Sequence, residues 1–481
     1  MKARSLIAVV LLAVLCLWIA TAGHSAPSAV DKAADLFKKG NTAEAIATLK
    51  AANEAKPNDP NVLSWLGYLY VKSGQYNEAV GVLERAVQLK PKNPDVRINL
   101  GSAYTNLGDD AKALPHNLEA VKLRPKSADA HYNLANSYAN TGRLDEAIAE
   151  YKAAQTLSPN AANVKNGLGL ALQQKSSGSP ESIAAFEQAV RCDPQNVRYL
   201  TDLGMAYKSG GKLASARSAL RQAAAVGPND YMARVAYGEI LSENNQNEEA
   251  VKEYEAASKV RPDEFVPHYN LGVLYGRQGN FADAAREYSR ALQLQPTSAQ
   301  ALAGHGWALY KTGKAPEAIA QFKAATEKDQ NSGDIYNNLA IIYTNEKMKD
   351  EAEAAWTQTL RLQPRNTAAM MALGNLLLQK GQTAKAQEHY EKAVTLDPKF
   401  AEAHVGLGLC YDRAGNVDKA IEEYRTAIKL NPNLPSAYNN LGTALEKKGQ
   451  PQEAIAQYKK ALELNKNHTD AKFNLERLTK E

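Results

Sequence analysis

The sequence predicts an all-α solenoid built from helical hairpins, and three observations carry that prediction. Proline returns every 34 residues; small residues and turn glycines keep fixed places within that period; and the apolar residues between them recur at the helical spacing of about 3.6. At 481 residues the chain exceeds one compact core, so it must hold several domains or grow by repetition. With 44% apolar and 23% charged residues it is a folded rather than a disordered chain. Three cysteines, Cys16, Cys192 and Cys410, are too few for a disulfide framework or a thiolate zinc cluster. A net charge of +5 is small for this length and argues against a nucleic-acid binder.

The first element, residues 1–22, differs from everything after it. Lys2 and Arg4 precede an uncharged stretch, residues 6–20, and the triplet Ala20-Thr21-Ala22 follows. This is the pattern of an export signal, with cleavage expected after Ala22. An uncleaved inner-membrane anchor is the alternative, because the apolar run is at the short edge of what spans a bilayer. Lipid attachment at Cys16 is disfavoured by the large Leu15 before it.

The repeats come next. Pro57, Pro91, Pro125 and Pro159 are each 34 residues apart, Pro194 comes after 35, and Pro228, Pro262, Pro296, Pro364, Pro398 and Pro432 keep the beat. The phase divides the chain into thirteen repeats: 26–59, 60–93, 94–127, 128–161, 162–196, 197–230, 231–264, 265–298, 299–332, 333–366, 367–400, 401–434 and 435–468. The eighth place is small, as at Gly67, Gly101, Ala135 and Gly169. A turn glycine follows seven places later, as at Gly74, Gly108 and Gly142. Alanine and then a bulky residue come next, as at Ala147 and Tyr151. Each repeat therefore reads as two amphipathic helices. Glycine ends the first in the left-handed conformation, and proline stops the second. Small residues let the helix axes approach to roughly 8–10 Å, and the aromatic fills the gap left over. One such pair cannot bury its apolar face alone, so stacking is obligatory. Residues 469–481, with Ala471, Phe473, Leu475 and Leu478, continue a first-helix pattern and read as a capping helix.

This pattern resembles the tetratricopeptide repeat family over residues 26–468. The resemblance implies a right-handed superhelix in which the first helix of each pair lines a concave groove. The repeats look similar to those of the O-linked N-acetylglucosamine transferase superhelix, without a catalytic domain after them. The lysine–asparagine–lysine–arginine clamp of the chaperone-binding members has no counterpart on three successive repeats.

Three departures interrupt the period. Residues 176–180 carry one extra residue in the fifth repeat, expected as a surface insertion. Pro115 falls inside a second helix and should kink it or strip a hydrogen bond. At the ninth-to-tenth junction Gln330 replaces proline, Lys347 glycine and Thr359 alanine, which reads as a seam or as plain variation.

Catalytic constellations do not emerge. His131, His268 and His404 share one place four repeats apart, too far to bind one metal. His305 stands where leucine is usual and is expected as a hydrogen-bonded, buried histidine. No catalytic residues, cofactor or metal are assigned.

Asparagine is conspicuous on the first helices. Asn99, Asn106, Asn133, Asn136, Asn140, Asn166, Asn270, Asn337, Asn338, Asn345, Asn439 and Asn440 fall where a groove would be. Helix propensity does not explain them. A row of amides can bind an extended peptide's backbone, and the sugar-transferring members of the family carry a similar ladder. A merely hydrated inner wall is the other reading. Trp65 and Trp307 are candidate anchors, while Tyr132 and Tyr269 either join them or pack on neighbouring helices.

The expectation is a non-catalytic scaffold that binds extended peptides or proteins in the groove, in the cell envelope or outside the cell. It would bind no nucleic acid, and would meet a membrane only through residues 1–22 if these stay uncleaved. The alternative is a component of an envelope polysaccharide or protein export assembly, in contact with glycan or a channel protein.

Overall fold

The structure, a computed structural model, describes residues 28–480. The export segment, its cleavage point and Cys16 lie outside the described residues. Among the described residues there are twenty-seven helices and no strand, arranged as thirteen hairpins and one final helix. No described helix is long and apolar enough to cross a membrane. The chain divides into two compact units, residues 1–250 and 251–481.

In the first unit, first helices begin at Ala29, Pro60, Pro94, Ala128, Ala162, Val197 and Tyr231. The first six each pack on their own second helix and on the first helix of the next repeat. Starts are set by capping. The side chains of Asp59, Asn93, Ser127, Asn196 and Asp230 accept hydrogen bonds from otherwise orphaned helical N–H groups, each contributing about 1 kcal/mol. The turn at Gly142 (φ 77°) takes the left-handed conformation that closes the first helix.

Beneath the eighth-place glycines Gly67, Gly101, Gly169 and Gly204 lies a large residue of the second helix. A Cβ on Gly169 would sit 2.7 Å from the Phe186 ring. In the third repeat Asn117 takes that place, fully buried under Gly101. Its Nδ2 donates to the Asn133 carbonyl and to Ser137 Oγ at 3.2 and 2.9 Å, and its buried Oδ1 has no partner. Leucine fills the same place at Leu83 and Leu220. An orphaned buried acceptor costs about 1–3 kcal/mol. Asn117→Leu is therefore expected to raise stability by about 1 kcal/mol, read as a higher urea midpoint at unchanged slope.

The expected interruptions resolve differently. The helix Asp110–Leu123 runs through Pro115 without a break, lacking the one helical hydrogen bond that proline, with no N–H, cannot donate. The extra residue of the fifth repeat lies in a stitched turn: Gln173 Oε1 accepts from the Gly178 N–H at 2.9 Å and from Ser182 Oγ at 3.1 Å. Gly178 is required there, since a Cβ would meet the backbone of Ser209 and Gly210 at 2.4 Å.

In the second unit the first helices begin at Phe265, Ala299, Gly333, Thr367, Ala401 and Pro435, and Thr469–Lys480 closes the stack. Tyr288, Phe322, Tyr390, Tyr424 and Tyr458 fill the places under the glycines. The closing helix seats Leu475 and Leu478 against the Tyr458 cluster, while Phe473 is 68% exposed and does not join that core. His305 is half-buried beside Gln321, whose side-chain hydrogen bond opposes the effect of burial, while its Nδ1 is enclosed without a partner. Burial holds its pKa below the ordinary histidine value. Burial pushes the Cys410 thiol up to about 11. Lys347 ends its helix at φ 60°, where other repeats use glycine. Left-handed backbone costs a residue with a Cβ about 1–2 kcal/mol, so Lys347→Gly should raise the melting midpoint of this unit.

The histidines that share one place are structural staples. Nδ1 of His131, His268 and His404 meets Glu150, Glu287 and Glu423 at 2.5, 2.8 and 2.6 Å. Each Nε2 reaches the carbonyl of Pro125, Pro262 or Pro398, at 3.0, 3.3 and 3.2 Å. Arg97 uses the same place to reach the Pro91 carbonyl at 2.7 Å. This staple ties a first helix both to its own second helix and to the loop before it.

Candidate binding face on the first helices

Places 2, 6, 9 and 13 of a first helix lie three to four residues apart, so they share one helix face. The candidate asparagines and tryptophans occupy places 5, 6, 9 and 13. Two cavities open on the first helices of the first unit.

The larger, about 1050 Å³, sits on the first helices of the first three repeats. Its apolar wall includes Phe37, Trp65, Tyr68 and Ile98. Tyr68 is at its centre, edge-on to Phe37 at 5.8 Å and to Trp65 at 5.7 Å, both at 78°. Such pairs add about 0.5–1.5 kcal/mol beyond their buried area and hold the indole in one orientation. Asn99 lines this cavity and has no hydrogen-bond partner among the described residues. Among the charges around it, Arg124 is bidentate on Asp95 at 2.6 and 2.8 Å.

The smaller cavity, about 310 Å³, is lined by Tyr132, Asn136, Asn140, Asn163, Asn166 and Tyr199 among others. The Tyr151 hydroxyl donates to Asn136 Oδ1 at 2.5 Å, leaving the Asn136 NH₂ without a partner. Asn140 Nδ2 donates to Asp110 at 3.2 Å. Asn166, 3% exposed, donates to Asp202 Oδ2 at 2.9 Å, and its buried Oδ1 is unpaired. Burial raises the Asp202 carboxyl above the usual range.

The candidate amides thus divide into two groups. Asn133 Nδ2 donates to the Ile98 carbonyl of the preceding first helix at 3.2 Å, and Asn106 turns back to the Ser102 carbonyl at 2.8 Å. In the second unit Asn345 donates to the Tyr310 hydroxyl at 3.0 Å. Asn474, Asn439 and Asn440 form a chain of amides at 3.2 and 3.3 Å. These side chains are at least partly spent on holding helices together. Asn99, Asn163, Asn270, Asn337 and Asn338 remain unspent among the described residues. Trp307 packs at 5.9 Å from Tyr310, with the Lys311 ammonium 4.9 Å above its ring. Tyr132 lies 6.0 Å from Tyr151, and Tyr269 stacks on Phe265 at 5.4 Å.

Reading the sequence for amides missed an aliphatic component. Leu170, Met205 and Met232 are 38%, 38% and 59% exposed on first helices of the first unit. Leu170 and Met205 hold the ninth place, as Asn136 and Trp307 do, and Met232 the second place, as Asn163 does. Their place in the period was the available signal.

Fold and face together define a helical-hairpin repeat scaffold. The family model of the cilia and flagella-associated protein 70 C-terminal domain matches residues 21–268. Tetratricopeptide repeat models match residues 269–334, 348–398 and 371–435, and residues 435–468. The chain belongs to the tetratricopeptide repeat family. No curated protein matches it. Among solved structures it is similar to the APC/C hetero-tetramer Cut9–Hcn1, at 16% identity over 93% of this chain and 95% of that one, with a TM-score of 0.41. It is also similar to YrrB, described as a TPR protein with an unusual peptide-binding site. That match has 22% identity over 39% of this chain and 97% of that one, with a TM-score of 0.36.

Proposed function

We propose that this chain is a protein-binding scaffold, and that the first-helix face of its first unit holds an extended segment of a partner. The observation that carries this reading is the company the unspent amides keep. Asn99 shares a cavity with Trp65, and Asn163 and the Asn136 NH₂ share one with Tyr132 and Tyr199. An amide offers two donors and an acceptor, which pair with a peptide's backbone whatever its side chains are. The aromatic wall supplies an apolar anchor, and Leu170, Met205 and Met232 supply further apolar contact. In the second unit Asn270, Asn337, Asn338, Asn440 and Trp307 would act in the same way on their own segment.

The chain works without catalysis in this reading. Its site of action is the cell envelope or the outside of the cell, supported by the basic start, apolar run and Ala20-Thr21-Ala22 triplet.

Selection of random dodecapeptides on the full chain tests the peptide reading. Selected peptides should lose affinity when their backbone nitrogens are methylated one at a time, because methylation removes the N–H that an amide accepts. Tolerance of methylation at every position, or affinity that survives Asn99→Ala combined with Asn163→Ala, would overturn it.

A further inference from the structure

The full histidine–glutamate staple is made in the fourth, eighth and twelfth repeats; among the repeats without it, the tenth also lacks the proline of the loop before it. In the tenth repeat Tyr336 stands in the histidine's place, Ala355 in the glutamate's and Gln330 in the proline's. At this junction a cleft of about 600 Å³ opens between the second helix Ala315–Lys328 and the hairpin of Gly333–Asn345 and Lys349–Leu362. Leu339, Tyr343 and Ala355, all buried, form its apolar floor. Three carboxylates, Asp350, Glu351 and Glu353, crowd one rim, and Lys323 is the only cation lining it. Lys380 holds Asp350 at 2.6 Å and Glu353 at 2.5 Å, while Glu351 has no partner among the described residues.

We propose that this cleft is a second docking site, on the second-helix side of the solenoid. Its occupant is a basic partner segment that inserts an aromatic side chain and sets a flanking lysine or arginine against Glu351, the rim carboxylate that Lys380 does not hold. The volume admits an indole together with the first carbons of its neighbours. The acidic rim selects a cationic flank and repels an anionic one. In the staple-bearing repeats the histidine and glutamate side chains stand in the places that Tyr336 and Ala355 hold here. It does not depend on the cavities that hold Asn99 and Asn163, which lie on first helices of the first unit.

The test uses two probes, N-acetyl-Lys-Trp-Lys-amide and N-acetyl-Glu-Trp-Glu-amide, followed by saturation-transfer NMR on the full chain. The lysine probe should bind saturably and at least about tenfold more tightly than the glutamate probe. Rebuilding the staple with Gln330→Pro, Tyr336→His and Ala355→Glu should abolish that binding while helicity is kept. Glu351→Lys, an exposed single change, should weaken it about threefold or more and keeps the test decisive if the triple variant does not fold. Equal binding of the two probes, or lysine-probe binding unaffected by Glu351→Lys, overturns the proposal. Loss of dodecapeptide binding through Asn99→Ala with Asn163→Ala would leave this result unchanged, so the two readings fail separately.

Discussion

Tyr390→Ala is expected to destabilise the second unit by about 3–5 kcal/mol, the range for removing a fully buried aromatic side chain. The ring is 0% exposed. It is gripped from two sides, since a Cβ on Gly374 of its own repeat or on Gly406 of the next would stand 2.7 or 2.5 Å from it. Those glycines cannot close the space once the ring is gone, because they belong to two different first helices. The loss therefore strikes both the hairpin and the interface to its neighbour, the two terms that make up solenoid stability. Tyr390→Phe separates packing from hydrogen bonding. It removes only the bond from the hydroxyl to Asn375 Oδ1 at 2.7 Å, at a cost of about 1 kcal/mol. Urea denaturation gives both values, and hydrogen exchange should show faster opening first in the helices Thr367–Gln379 and Ala401–Arg413.

Trp65→Ala carries the largest expected effect on binding. The indole is partly exposed in the larger cavity and is oriented by Tyr68. Buried tryptophans at the centre of interfaces contribute 2 kcal/mol or more, so peptide affinity should fall about thirtyfold. Asn133→Ala makes the contrast. Its amide is committed to the Ile98 carbonyl, so the change should lower stability by about 1 kcal/mol and leave affinity nearly unaltered. Titration calorimetry with a selected dodecapeptide, beside thermal melts of both variants, separates the two effects.

The helical hairpins were legible because their causes are local. Proline at the first position of a helix, a capping Asp, Asn or Ser before it and glycine after it act within a few residues of one another. The eighth-place glycines were legible as close contacts for the same reason. The sixth-place glycines were not. Gly167, Gly304 and Gly406 make room for Tyr151, Tyr288 and Tyr390 of the preceding repeat, a relation visible only when repeats are stacked.

The candidate face shows the same division. Periodicity puts the asparagines of places 6, 9 and 13 on one side of the first helices, but it missed that Asn166 and Asn439, at place 5, are buried, and it could not tell a spent amide from an unspent one. Whether Asn133 reaches Ile98, or Asn136 receives the Tyr151 hydroxyl, depends on the distance between neighbouring helices. The junction at Gln330 read equally as a seam or as plain variation, because the staple it lacks joins a histidine to a glutamate nineteen residues on and to a backbone carbonyl.

The central claim is that partners run along the first helices of the first unit. Photo-crosslinkers placed at Asn99, at Asn163 and at Lys152, an exposed position on a second helix, test it in the cell that makes the protein. The account predicts that the first two capture one partner through adjacent stretches of a single continuous segment, and that the third captures none of it. Capture from Lys152 alone, with nothing joined to either first-helix position, would contradict it.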